Sequence, residues 1–154
     1  MRKSLILVYI LTGVVVLALG LMVGLYLASK SSKQPSSSPS PQMSFEEMKI
    51  SLDDLKKKMD KGEDFILLDN RSFGEYQEKH IPGASSMPLS EIDKKYQELS
   101  KDKEIITYCH GWHCNTSKIA AQKLKDYGFE KVRILDGTVS DWEKRGWPIE
   151  KGSQ

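Results

Sequence analysis

The sequence predicts an α/β domain, a parallel sheet flanked by helices on both faces, preceded by one N-terminal transmembrane helix. Three observations carry this expectation. After residue 43, short apolar runs alternate with segments of helical periodicity, an order that builds a parallel sheet covered on both sides. Near the amino terminus lies a long uncharged apolar stretch, and a Ser/Pro-rich segment separates it from the alternating part.

Leu5 to Ala28 carries no charge and is mostly Leu, Val, Ile, Gly and Ala, which at ~1.5 Å per helical residue spans a ~30 Å hydrocarbon core. The expected division is a short cytoplasmic segment over 1–4, a signal anchor over 5–28, a solvated linker over 29–42 and a folded domain over 43–154. "SKSSKQPSSSPSPQ" has no apolar residue to bury, so it tethers without folding. Arg2 and Lys3 before the helix, against Lys30 and Lys33 after it, give a slight bias toward a cytoplasmic amino terminus and a single-pass membrane protein with its domain outside. A cleaved secretory signal is the alternative and would give a secreted domain, but the apolar run exceeds the roughly 7–15 residues of a signal core. The formal charge of +2 divides unevenly. Residues 43–154 hold 19 basic and 21 acidic residues, a net of −2, and offer no nucleic-acid surface.

Within the domain, "SLDDLKKKMDKG" is expected to be a helix with Ser51 as N-cap, Leu52, Leu55 and Met59 on one face and Gly62 past its end. "FILLD" is a strand buried on both faces. "FGEYQEKH" forms a short helix stopped by Pro82 and Gly83. Ser90 caps "EIDKKYQELS", with Ile92, Tyr96 and Leu99 at helical spacing. "EIITY" is a second strand, and "TSKIAAQKLKDYG" a helix with Ile119, Ala120, Leu124 and Tyr127 on one side and Gly128 as its stop. "KVRIL" is a third strand, and "SDWEKRG" a last short helix.

The chain has only two cysteines, and both fall in "YCHGWHCNTS", Tyr108 to Ser117. Ligands of parallel sheets bind beyond the carboxyl ends of the strands. Cys109 stands there, where "IITY" leaves the sheet for a loop and a helix. Loop N–H groups and the amino end of a helix favour an anion, and thereby the reactive thiolate. A buried inert cysteine is the plain alternative for a residue chosen at random, and position argues against it. A disulfide between Cys109 and Cys114 is compatible with their five-residue separation without being required by it. A four-ligand metal site of Cys109, His110, His113 and Cys114 would have to wrap one ion within a single turn, whereas structural zinc sites draw ligand pairs from separated segments. No cofactor is expected. Trp112 reads as a loop-wall aromatic, and His80 as a turn or packing residue.

Five pieces in order resemble the rhodanese superfamily across Ile50 to Pro148. "LLDNR" resembles the family's "LLDVR", and "EYQEKHIPGASSMP" its "EY..GHIPGA.N.P". "IITYC" matches the strand-to-cysteine element, "AAQKLKDYGF" the following helix, and "ILDGTVSDWEKRGWP" the "L.GG...W...G.P" ending. The resemblance implies a sulfurtransferase. Cys109 would take sulfane sulfur from a small donor as a persulfide and pass it to a thiophilic acceptor such as a protein thiol. His110, Gly111, Trp112, His113, Cys114, Asn115, Thr116 and Ser117 would form the substrate-binding loop, its amides cradling the persulfide. Asp69 and Arg71, matching a family pair near the active loop, would support it; a strand-end ion pair without functional consequence is the alternative.

The loop departs from the family's common "C-R-x-G-x-R-S": "CHGWHCNTS" is about two residues longer and lacks arginine, which matters for a dianion such as thiosulfate. His110 or His113 would have to supply positive charge. Thr138 also replaces a glycine common in the ending. Cys114 either lines the loop or resolves a Cys109 persulfide or mixed disulfide. Two further functions therefore compete with sulfur transfer: a thiol–disulfide redox enzyme or sensor using both cysteines, and a non-enzymatic binding module tethered at the membrane.

Overall fold

The computed structural model describes residues 44–152. The expected cytoplasmic segment, membrane anchor and linker lie outside them, and no helix among the described residues is long and apolar enough to cross a membrane. The elements run β1 (Lys49–Ser51), α1 (Leu52–Asp60), β2 (Phe65–Asp69), α2 (Phe73–Glu78), β3 (Ala84–Ser86), α3 (Leu89–Lys95), a 3-10 turn (Tyr96–Glu98), β4 (Glu104–Tyr108), α4 (Asn115–Asp126), β5 (Val132–Asp136) and α5 (Val139–Lys144). The strands form one sheet in the order β1-β5-β4-β2-β3, and every neighbouring pair is parallel.

Successive residues of a strand point to opposite faces of the sheet, and here both faces are apolar. Leu67, Ile106 and Leu135 enter one core with Leu52 and Leu55 of α1, Tyr76 of α2, and Val139 and Trp142 of α5. Their neighbours Leu68, Ile105 and Ile134 enter a second core with Ile92 of α3 and Ala120, Ala121 and Leu124 of α4. Consecutive apolar residues in the three central strands are therefore what a doubly covered sheet demands.

Helix ends follow from local chemistry. The Ser51 hydroxyl accepts the Asp54 N–H at 3.1 Å to start α1. Ser72 and Glu75 form a reciprocal capping box on α2. Thr138 accepts the Asp141 N–H at 2.9 Å, so the residue that replaces the family's glycine starts α5. Gly62 and Gly128 follow α1 and α4 with φ of 65° and 85°, as expected of stop residues.

Four expectations need correction. The sheet has five strands rather than three: β1 and β3 are edge strands of three residues, with one buried residue each, too short to show a period. Pro88, not Ser90, is the N-cap of α3 and makes no side-chain cap bond; the Pro88 carbonyl accepts the Glu91 N–H at 2.8 Å instead. That helix is also shorter than expected, with Tyr96 in the 3-10 turn and Leu99 beyond it. On α4 the buried set is Ser117, Ala120, Ala121 and Leu124, and Ile119 is exposed, because the inward stripe runs one residue away from it.

Candidate active site

Parallel register sets the base of the site. β2 and β4 pair so that Asp69 lies beside Tyr108, each the last residue of its strand. The Tyr108 hydroxyl donates to Asp69 Oδ2 at 2.8 Å, and the Arg71 guanidinium grips the same carboxylate through Nε at 3.0 Å and Nη2 at 2.6 Å. Arg71 Nη2 also donates to the Lys79 carbonyl at 2.7 Å, and the Ile81 N–H donates to the Tyr108 oxygen at 3.4 Å. Asp69 and Tyr108 are fully buried and Arg71 nearly so. A buried carboxylate persists only where charge and hydrogen bonds replace water. Burial first, and then the neighbouring Asp69 carboxylate, push the Tyr108 phenol well above its ordinary range, so it stays a neutral donor.

Cys109 follows Tyr108 and is 1% exposed. Its sulfur is joined to that of Cys114 in a disulfide, with a Cα separation of 6.6 Å. The Ser117 hydroxyl stands 3.3 Å from Cys109 Sγ, and the carbonyl oxygens of Gly111 and Cys114 each stand 3.9 Å from it. Gly111 has φ of 100°, a conformation that favours glycine, and its carbonyl accepts the Cys114 N–H at 2.9 Å. In this disulfide form the Cys114 amide thus closes a turn rather than facing the sulfur. Cys114 is the N-cap of the 12-residue α4, makes no side-chain cap bond, and is followed by a first turn without acidic residues. The positive end of that helix dipole is left without a carboxylate.

The remaining loop residues spread over the surface. His110 Nε2 lies 2.5 Å from Glu75 Oε1. The Ser72 hydroxyl, and after it His110, pull the Glu75 carboxyl down to about 2, so His110 faces an anion at neutral pH. Lys49 Nζ lies 4.0 Å and Lys118 Nζ 4.3 Å from the centre of the Trp112 ring, two cation–π contacts. His110 to His113 line a cleft of about 560 Å³ together with Asp136, Thr138, Asp141, Lys144 and Arg145. Cys109 and Cys114 do not line this cleft. Asn115 is exposed, Thr116 half-buried and Ser117 buried at the start of α4. His80 is buried, stacked on Tyr76 at 3.8 Å, with Nδ1 2.8 Å from the Tyr76 carbonyl, a packing residue. Among the described residues no group of three or more His, Cys, Asp or Glu side chains is placed to hold a metal ion.

Sequence reasoning did not single out Tyr108, Glu75, Lys144 or Arg145. Tyr108 had a signal, a phenol at a strand end that must find a partner when buried. The other three reach the loop only through tertiary packing.

The site belongs to a parallel α/β domain with a cysteine at the exit of its central strand, in a loop that caps the next helix. The family model described as the rhodanese-like domain matches residues 51–145, and the chain belongs to that family. YrkF of Bacillus subtilis, a candidate sulfur carrier protein, is 39% identical over 93 residues, which cover 60% of this chain and 49% of that protein. The thiosulfate sulfurtransferase GlpE of Pseudoalteromonas translucida is 36% identical over 81 residues, 53% of this chain and 75% of that one. Among solved structures, the BH2092 protein of Bacillus halodurans superposes with a TM-score of 0.61 at 38% identity, covering 67% of this chain and 76% of that chain. The chain spans about half the length of YrkF.

The buried network yields a prediction. Tyr108→Phe removes one donor from Asp69 and the acceptor of the Ile81 N–H, and should cost about 1–3 kcal/mol. Urea unfolding measures it, and an unchanged midpoint would contradict the assignment.

Proposed function

We propose that the chain is a sulfurtransferase in which the reduced Cys109 thiolate accepts sulfane sulfur and passes it to a thiol acceptor. The observation that carries this reading is the place of Cys109: first residue beyond central strand β4, in the loop that caps α4, in a chain of the rhodanese-like domain family. Relatives named as a thiosulfate sulfurtransferase and a candidate sulfur carrier support it.

Once the disulfide is reduced, the Cys109 thiolate attacks the outer sulfur of the donor. A Cys109–sulfur bond forms, the donor's sulfur–sulfur bond breaks, and the donor remainder leaves with the electron pair. The Ser117 hydroxyl, 3.3 Å from Sγ, donates to the ionised sulfur, and the unneutralised amino end of α4 stabilises it further. Asp69, Arg71 and Tyr108 do not touch the sulfur; they hold the strand end from which the loop departs. His110, Lys144 and Arg145 each face a carboxylate, those of Glu75, Asp141 and Asp53 respectively. With these side chains matched and no arginine in the loop itself, a persulfide or another donor of low charge is favoured over dianionic thiosulfate. The Cys109–Cys114 disulfide favours a second reading, a thiol–disulfide redox function of the same loop.

Intact mass spectrometry of the reduced full chain carrying Cys114→Ser tests sulfur acceptance. One added sulfur on Cys109 is expected, faster from a persulfide than from thiosulfate, and none in Cys109→Ala. No adduct with either donor would overturn the proposal.

The uncharged run from Leu5 to Ala28 and the basic residues before it support a location outside the cytoplasm on a single-pass anchor. Protease added to intact cells should then remove the domain; protection until lysis would contradict that location.

A further inference from the structure

We infer that the domain releases its sulfur as sulfide: Cys114 displaces it from the Cys109 persulfide, and an external dithiol resets the loop. This rests on the reading of Cys109 as the sulfur acceptor. It converts the two cysteines from competing explanations into successive steps of one cycle.

The two sulfurs are bonded in the structure, so the loop backbone already holds Cys114 within attacking reach of Cys109 Sγ. Gly111 makes this closure, its positive φ and the 2.9 Å bond from the Cys114 N–H turning the chain back on itself. Cys114 is the N-cap of α4 and makes no side-chain cap bond in the disulfide form. The burial of the two residues differs. Cys109 is 1% exposed, which shields the inner sulfur of a persulfide from thiols in solution, whereas its loop neighbour reaches that atom from within. Two groups on one short loop meet at an effective concentration on the order of millimolar or higher.

The step balances without another oxidant. The Cys114 thiolate attacks Cys109 Sγ, the sulfur–sulfur bond of the persulfide breaks, and the outer sulfur leaves with the electron pair as hydrosulfide, taking the proton lost by the Cys114 thiol. Both cysteines are oxidised to the disulfide, and the sulfane sulfur is the species reduced. The disulfide seen here is then the state after release. Its half-buried member is Cys114, so an incoming dithiol attacks that sulfur. Cys109, 3.3 Å from the Ser117 hydroxyl, departs as the thiolate. The second thiol of the partner closes its own disulfide and frees Cys114. The partner is therefore a dithiol reductant, and the net reaction turns sulfane sulfur and a dithiol into sulfide and a disulfide.

A single-turnover experiment on the full chain tests this. The reduced protein is charged with one equivalent of glutathione persulfide, small molecules are removed, and sulfide, free thiols and intact mass are followed with no thiol added. Wild type should release close to one equivalent of sulfide and lose both free thiols. Cys114→Ser should keep the added sulfur and release at least ten times less sulfide. Wild type that retains its sulfur on Cys109 and the free Cys114 thiol would overturn the inference by itself, independently of any variant, as would sulfide release from Cys114→Ser at the wild-type rate. Should Cys114→Ser take up no sulfur at all while wild type also takes none, the sulfur-acceptor reading fails, and this inference with it.

Discussion

The Asp69 carboxylate, fully buried and shared by Arg71 and Tyr108, is the constraint on which the site depends. Leaving it unpaired would strand a charge inside the protein, at a cost of several kcal/mol. Its partners come from β4 and from the turn after β2, and Arg71 reaches on to the end of α2 through the Lys79 carbonyl. One carboxylate thus fixes the ends of two central strands and the return from α2. Cys109 is bonded directly to Tyr108, so the position of the sulfur is inherited from a network that never touches it.

Above that fixed base the loop is held by bonds of its own. A disulfide spans it, a glycine in the left-handed region turns it, and its cap residue offers no cap bond. Lys144 lies beside Asp141 and Arg145 beside Asp53, and the His110 ring lies against Glu75. Where a loop with arginines would draw in dianions, this one presents an aromatic side chain, Trp112, with Lys49 and Lys118 near its ring.

How much was legible beforehand divides along physical lines. "FILLD", "EIITY" and "KVRIL" announced themselves because a doubly covered strand must be apolar throughout, and the caps at Ser51, Gly62 and Gly128 because helix ends need particular chemistry. β1 and β3 did not, since three residues with one buried side chain carry no period. Ile119 misled because apolar residues on α4 outnumber the inward positions, and only packing decides which are buried. At the site, Cys109 stood out by its place between strand and helix. Tyr108 and Glu75 did not: one depends on register between two strands, the other on α2 folding back to meet the loop 35 residues later. Spacing left the pairing of Cys109 with Cys114 open, because five intervening bonds of sequence permit contact without imposing it.

On the proposed function, strand exit and helix start together make Cys109 a thiolate once the loop is reduced. The pH dependence of its alkylation, resolved from that of Cys114 by peptide mass spectrometry in the reduced full chain, tests this most directly. A midpoint for Cys109 clearly below the ~8.5 of a free cysteine is the result expected. A midpoint at or above that value would mean that burial outweighs the helix dipole, and the account of the site would fall.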